Sequence, residues 1–508
     1  MLNSSKGHNY FYNDDLTQRL KAQAIRGAGV TVIAQICCHA IQTIGFIILA
    51  RLLVPSDFGL ITMVTVIVLL LQNFGVNGFT EAVIQKENIN HQQLNSLFWI
   101  NLGINILLAS FLAILSTFFA GFYNEPKLTF IILIMANSIV INSMATLHLA
   151  LLKRNMLFYY TSINDIIAVS ISNFIAIVLA LKGAGYWSLA CKYISFPLAT
   201  TVGAWIFCSW RPGFPSYDTS IKSMVRFPIN IYGNFCLTYL QRNFDRICIG
   251  KVLGSPPLGH YDRAIQLTSM LPNQLTFPLT NVALATLCRL TNDSIKYRHY
   301  LSMIFSMLAF IALPLSAIIA IIGKDLIYFV LGSQWKQAGE IFPILGSSTG
   351  IIVLYNIHGW LHISFGRADR WLHWSIVAFV MTIICILIGL PFGLLGISYA
   401  YTISFFLLLL PAIGYAAKPG GIKLALFISA VWKYFGAAIV AGLLCWFIMY
   451  KIDYSAAFYL RSSVLFRIIS ASGFYLCLYL ILVVALNKST KPIMQFMAIL
   501  RDMIPKLK

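Results

Sequence analysis

Fourteen apolar stretches of about 20 residues follow one another along this chain of 508 residues. They lie at about 29–50, 58–83, 95–119, 128–151, 161–181, 185–208, 227–250, 258–284, 300–322, 338–364, 371–390, 394–416, 425–449 and 464–486. Wound as helix, each is long enough to cross a hydrocarbon layer of about 30 Å. The intervals near 258–284 and 338–364 are the weakest, being rich in Gly, Pro, Asn and His. Composition removes the soluble alternative. Hydrophobic residues make up 59% and charged residues 10%, against roughly 45–50% and about 25% in soluble domains. The mean hydropathy of +0.80 agrees. Too little polar surface exists to cover soluble globules of this size, so the bilayer is the solvent. The expectation is an all-α polytopic membrane protein with about 14 transmembrane helices.

The charge is lopsided, with 36 Lys+Arg against 16 Asp+Glu. Placing the N-terminus in the cytoplasm and counting loop by loop puts 22 basic residues inside and 9 outside. Such a bias over alternating loops is the positive-inside pattern, and it predicts both termini on the cytoplasmic side. Basic loops there also face anionic lipid. The polar segment 1–28 has no apolar core next to a small-residue cleavage site, so no cleaved signal peptide is expected. Extramembrane loops hardly exceed about 20 residues, which leaves no room for a soluble catalytic domain. The absence of a long basic run argues against nucleic acid as a partner. Ten cysteines occur without a C-x-x-C spacing and read as small apolar packing residues.

One turn occurs twice. Ala50-Arg51-Leu52-Leu53-Val54-Pro55-Ser56-Asp57-Phe58-Gly59 ends the first span, and Gly250-Lys251-Val252-Leu253-Gly254-Ser255-Pro256-Pro257-Leu258-Gly259 ends the seventh. The offset is 200 residues and six spans, an even number, so both copies share one orientation. This is the pattern of parallel repeats related by an axis along the membrane normal. It predicts two parallel six-helix lobes, 29–215 and 216–420, followed by two C-terminal spans within 421–487. The tail 488–508 alternates basic and apolar residues and reads as an amphipathic helix on the inner leaflet.

Ionisable groups at membrane depth are expensive and are the first functional candidates. Five of the 36 basic residues lie outside the loop count: Lys192, Arg242, Arg246, Arg263 and Lys433. Arg242, Asp245 and Arg246 stand at i, i+3 and i+4, on one side of the seventh span. Two guanidiniums about one carboxylate leave a surplus positive charge, and the Arg fork suits phosphate oxygens. A salt-bridged helix end reaching for interfacial water has the same spelling. Lys192, nearer the outer end of the sixth span, and Arg263 complete the substrate-binding candidates. Asp262 and Arg263 open the eighth span, where a capping pair is the alternative. Glu81 and Asp165, with Asp245 and Asp262, are candidates for coupling or gating, because an apolar setting favours the protonated carboxyl.

Prolines 197, 228, 272, 278, 314, 343 and 411 interrupt spans and make kinks that can serve as hinges. Trp187, Trp205, Trp210, Trp371 and Trp374 fall near span ends, as interfacial aromatics do. His358, His362 and His373 have no carboxylate at ligand spacing, and no metal site is expected. No P-loop, G-x-S-x-G or dinucleotide fingerprint appears, so neither ATP-driven transport nor common hydrolase chemistry has support.

Both copies of the repeated turn carry a family likeness. Residues Ala50 to Gly59 with Asn73-Phe74-Gly75 resemble the first two helices of bacterial polysaccharide exporters. So do Asn243-Phe244-Asp245-Arg246-Ile247-Cys248-Ile249-Gly250-Lys251 and Leu258-Gly259-His260-Tyr261-Asp262-Arg263-Ala264. The chain is similar to lipid-linked oligosaccharide flippases of the multidrug/oligosaccharidyl-lipid/polysaccharide superfamily, in the colanic-acid and teichuronic-acid exporter branch. The likeness covers about residues 20–450. It implies two six-helix lobes facing each other as an inverted V, alternating access and a cationic cavity. The implied cargo is a polyprenyl-pyrophosphate-linked oligosaccharide, whose pyrophosphate would meet Arg242 and Arg246. Also implied are a bacterial cytoplasmic (inner) membrane location and, as partners, polysaccharide polymerase and chain-length proteins. The motor would be an H+ or Na+ gradient or the membrane potential, with no bound cofactor. A cation-coupled drug exporter of the same superfamily is the nearest rival, and an acidic cavity would mark it. A polytopic glycan polymerase or ligase is the other, but its sizeable outer catalytic loop is missing.

Overall fold

A backbone in lipid must satisfy its own polar groups, and the helix does so within one segment. The computed structural model describes residues 20–85, 89–215, 239–450 and 463–490, with 236, 493 and 494, and contains no strand among them. The first helices are α1 (Leu20–Leu52), α2 (Pro55–Gln85), α3 (His91–Ile114) and the short α4 (Ser116–Tyr123). Next come α5 (Lys127–Arg154), α6 (Phe158–Leu181), α7 (Tyr186–Phe207) and α8 (239–253). The second half holds α9 (Ser255–Leu290), α10 (Ser294–Val330), α11 (Lys336–Ser347) and α12 (Thr349–Ser364). It closes with α13 (Ala368–Gly389), α14 (Gly393–Ala417), α15 (Leu424–Tyr450) and α16 (Val464–Asn487).

Local chemistry sets several of these ends. Pro55 opens α2 at a position where its missing N–H costs nothing. Asn90 and Gln93 form a reciprocal capping box on α3, with Asn90 Oδ1 accepting from the Gln93 N–H at 2.8 Å. Asp293 caps α10 by accepting from the Lys296 N–H at 3.1 Å. Outside the spans, this hydrogen bond and the Lys296 ammonium hold the Asp293 carboxyl below the usual carboxylate range.

By length and composition, nine helices among the described residues can cross a membrane. The number is ten if the pair Ser333–Ser347 and Thr349–Ser364, bent by 47°, is one span. That pair is one of the two intervals weakest in sequence. The other, α9, is not among the nine or ten. Fourteen is the number of apolar intervals the sequence offers; the nine or ten are counted among the described residues, with α13 and α14 taken together as one apolar segment, Ala368–Gly420. Ser316 explains how the bent pair tolerates its break. Its hydroxyl accepts from the Gly350 N–H at 2.5 Å, in the first turn of α12, where a helix has no internal acceptor.

The described chain packs as two compact units divided between Gly259 and His260. This is a division by packing, whereas the lobes 29–215 and 216–420 divide the chain by span count. In the first unit α6 lies between α1 and α7, and α5 packs on α2, α3 and α7. Polar side chains tie these helices across their faces, as expected where lipid supplies no hydrophobic drive between helices. Asn101 Nδ2 donates to the Ser143 carbonyl at 3.1 Å and Asn164 Nδ2 to the Thr200 carbonyl at 3.1 Å. Thr201 Oγ1 donates to the Ile141 carbonyl at 2.8 Å. α8 joins this unit through Gly250, packed against Tyr123 and Met63, and through Lys251, 5.1 Å from the centre of the Phe122 ring.

The two repeat copies meet. A β-carbon added at Gly59 would strike the Ser255 carbonyl, and one added at Gly259 would strike the Pro55 carbonyl. In the repeat numbering Gly59 matches Gly259 and Pro55 matches Ser255, so one contact is made in both directions.

In the second unit α10 is the spine, packed on α11, α12, α15 and α16. Its core includes Phe305, Phe310, Phe427, Tyr434, Tyr475 and Tyr479. The buried tyrosine hydroxyls find backbone acceptors: Tyr479 donates to the Phe310 carbonyl at 3.0 Å and Tyr475 to that of Ala438 at 3.3 Å. Arg467 on α16 forks onto Asp325 on α10, with N–O distances of 2.6 and 3.0 Å. Large side chains such as Leu107, Ile114, Phe174 and Ile388 stand exposed, which suits faces turned to lipid. The basic tail beyond 490, apart from 493 and 494, lies outside the described residues.

Candidate functional site

Helix α8 carries the densest set of candidates. Asp245 is buried, Arg246 is half-buried and Arg242 is exposed. The charged set thus runs from the helix's packed side to its open side. Arg246 does not extend freely outward. Its Nη1 donates to the Arg242 carbonyl at 3.1 Å and to Asn243 Oδ1 at 3.1 Å. Asn243 is itself held, donating from Nδ2 to the Tyr239 carbonyl at 2.8 Å. Asp245 Oδ1 accepts from the Arg246 N–H at 2.8 Å. The buried carboxylate offsets one of the two guanidiniums, and the arrangement retains one surplus positive charge on a helix rich in apolar residues. An anionic group with several oxygens matches that arrangement.

Asn243 is the residue that sequence reasoning passed over. The signal was present, since a polar amide three residues before Arg246 on a helix is within reach of it. It was read only as part of a family motif.

The other candidates are dispersed. Lys192 is half-buried on α7, five residues before Pro197. In the second unit, Asp262 and Arg263 on α9 form an ion pair at 2.5 Å, with side chains 12% and 14% exposed. Much of the Arg263 charge is therefore already compensated by its neighbour. Asp165 is exposed on α6, and the charge of Lys153 reaches it. Glu81 lies on the α2 backbone, but its side chain falls outside the described residues. Among the described residues no group of three His, Cys, Asp or Glu side chains is placed to hold a metal ion.

Two basic residues counted only for topology have defined structural partners. Arg154 at the end of α5 donates from Nη1 to the Val83 carbonyl of α2 at 2.6 Å. Arg467 makes the fork onto Asp325, 142 residues away in sequence. Neither pairing has a local spelling that could have announced it.

Comparison with known proteins places this architecture. At 24% identity over 339 residues, the chain is similar to the succinoglycan biosynthesis transport protein ExoT of Rhizobium meliloti, covering 66% of this chain and 68% of that protein. It is 22% identical to the lipopolysaccharide biosynthesis protein WzxC of Escherichia coli, covering 78% and 82% of the two chains. With the teichuronic acid biosynthesis protein TuaB of Bacillus subtilis the identity is 25%, over 75% of this chain and 80% of the other. Among solved structures, the lipid II flippase MurJ in an inward closed conformation superposes with a TM-score of 0.72 at 12% identity. That match covers 91% of this chain and 99% of the flippase. An inward-facing multidrug resistance MATE transporter gives 0.59 at 13% identity, over 76% and 94% of the chains. These two likenesses concern the fold. The polysaccharide biosynthesis protein family model matches residues 48–340, and on that match the chain belongs to the polysaccharide biosynthesis protein family.

Proposed function

We propose that this protein is a flippase that moves a polyprenyl-pyrophosphate-linked oligosaccharide across the cytoplasmic membrane for cell-surface polysaccharide assembly. The observation that carries the reading is the cationic face of α8, with Arg242 exposed and Arg246 tethered by Asn243 above a buried Asp245. Relatives named for succinoglycan transport and for lipopolysaccharide and teichuronic acid biosynthesis support the cargo class. The two guanidiniums meet the pyrophosphate, the glycan crosses through a watery path, and the lipid tail stays in the bilayer. Polar glycan transfer through hydrocarbon is what the protein must avoid, because each unsatisfied hydroxyl there is costly.

Transport proceeds by alternating access, driven by an H+ or Na+ gradient or by the membrane potential. Lys192 and Arg263 add to the cargo site, while Asp245, Asp262, Glu81 and Asp165 are the coupling or gating groups. Both termini lie in the cytoplasm, where basic loops meet anionic lipid, and a polymerase and chain-length proteins take over the product. A cation-coupled drug exporter shares the fold, as the MATE likeness illustrates. Cargo charge separates the two readings.

The test is export in cells carrying Arg242→Ala with Arg246→Ala. Surface polysaccharide is lost while membrane insertion is normal, and the lipid-linked glycan accumulates on the inner leaflet. Near-wild-type polysaccharide in the double variant removes α8 as the cargo site.

A further inference from the structure

A shallow, widely open depression of about 580 Å³ lies on the second unit where α13, α14 and α15 meet. The floor is one face of α14. Pro411, Gly414, Tyr415 and Lys418 line it at i, i+3, i+4 and i+7. The space over Gly414 is open, since a β-carbon there would meet nothing within 4 Å. Trp374 of α13 and Leu424 of α15 form the walls.

The aromatic wall is braced from behind. Trp374 stacks on Tyr415 with ring centres 5.9 Å apart. The guanidinium of Arg370, one turn before Trp374, sits 4.0 Å from the centre of the same tyrosine ring. Its Nη2 donates to the Tyr415 carbonyl at 2.8 Å.

Its chemistry is split by depth. The floor and walls are apolar until Lys418, where α14 gives way to the turn that leads into α15. Around that turn the charge is of one sign. Lys418 and Lys423 are exposed, and Arg298 Nη2 donates to the Gly421 carbonyl at 3.2 Å. No carboxylate forms an ion pair with these three among the described residues; the nearby Asp369 is taken by Arg367 at 3.0 Å. An apolar depression ending in basic side chains at a helix end complements one acyl chain joined to an anionic headgroup.

We propose that this depression holds one anionic phospholipid, with an acyl chain along Pro411, Gly414 and Trp374 and the phosphate at Lys418, Lys423 and Arg298. Lipid tails are as apolar as the depression, so burying the chain discriminates little between lipids. The cations discriminate, because attraction of anionic headgroups grows with each basic residue at the surface. Selectivity therefore lies in the headgroup and fit in the glycine floor. The site is separate from the α8 candidates and stands without the flippase reading.

The experiment is native mass spectrometry of the full-length protein in detergent, with phosphatidylglycerol and phosphatidylcholine in equal amounts. Wild type retains one phosphatidylglycerol in preference to phosphatidylcholine by roughly tenfold. Lys418→Glu brings the preference close to unity, and Gly414→Leu, which fills the floor, lowers retention of both lipids. Thermal unfolding confirms that each variant is folded, and Lys418→Glu alone decides the matter if Gly414→Leu is not. Equal retention of the two lipids by wild type overturns the proposal, as does a preference that Lys418→Glu leaves unchanged. A third arm adds undecaprenyl phosphate; its displacement of phosphatidylglycerol from wild type would mean that the depression belongs to a polyprenyl chain instead.

Discussion

Gly59 and Ser255 lie so close that a β-carbon on the glycine would overlap the serine carbonyl, and Gly259 stands in the same relation to Pro55. The four positions are two residues of one repeat seen twice, 200 residues apart. A reciprocal contact of this kind is what a two-fold relation between parallel copies produces. Small residues at such crossings let backbones approach closely, and the obstacle here is backbone, which cannot step aside as a side chain can.

Gly59→Val and Gly259→Val should each lower stability by about 1–3 kcal/mol through overpacking. Because both glycines serve one reciprocal contact, the double variant should be less destabilised than the sum of the singles. Thermal unfolding of purified protein in detergent measures this, and strict additivity would show that the two contacts are independent.

The fork between Asp325 and Arg467 joins α10 to α16 with side chains only 13% and 17% exposed. Removing one partner leaves the other charge poorly solvated. Asp325→Leu or Arg467→Met alone should cost about 3 kcal/mol, whereas the two together should recover much of the loss. A double-mutant cycle on unfolding decides this, and a double variant no better than the worse single would contradict it.

Asn243→Ala should reduce glycan export by about tenfold, because a hydrogen bond to a charged group is worth about 1.5–3 kcal/mol. The charge on α8 is unchanged by this substitution, so a loss reports the aim of Arg246 and not its presence. Arg246→Lys, which keeps the charge but not the fork, should fall in the same range. Full export by Asn243→Ala would mean that the tether is dispensable.

Asp293 has a folded-state pKa held below the ordinary carboxylate value by the Lys296 N–H and ammonium. A depressed pKa means that the stabilisation is present above the unfolded value, near 3.9, and is lost as pH falls through the lower folded value. Unfolding temperature should therefore drop on acidification below about pH 4, and Asp293→Asn, which keeps an N-cap acceptor without the charge, should flatten that part of the profile. An identical profile in the variant would assign the acid sensitivity to other groups.

Much of the architecture was legible before any coordinates. The Asn90–Gln93 capping box and the Pro55 helix start are features of this local kind, since each depends on a few adjacent residues. The two weak intervals were weak for a physical reason. One is broken at the Ser347–Thr349 junction, and the other, α9, lacks the apolarity of a span by itself. The repeat was visible as a spelling, and the way its copies meet was not.

The sequence by itself determined the solvent, the helical class, the repeat and the candidate charges, because these follow from composition, run length and local spacing. Only the tertiary structure decided which charges are engaged. It tied Arg246 to Asn243, coupled Arg263 to Asp262 and forked Arg467 onto Asp325 across 142 residues. Pairing of side chains depends on which helix faces meet, and in lipid those faces are chosen by close packing and hydrogen bonding. A hydropathy pattern reports how apolar a face is and carries little about its partner.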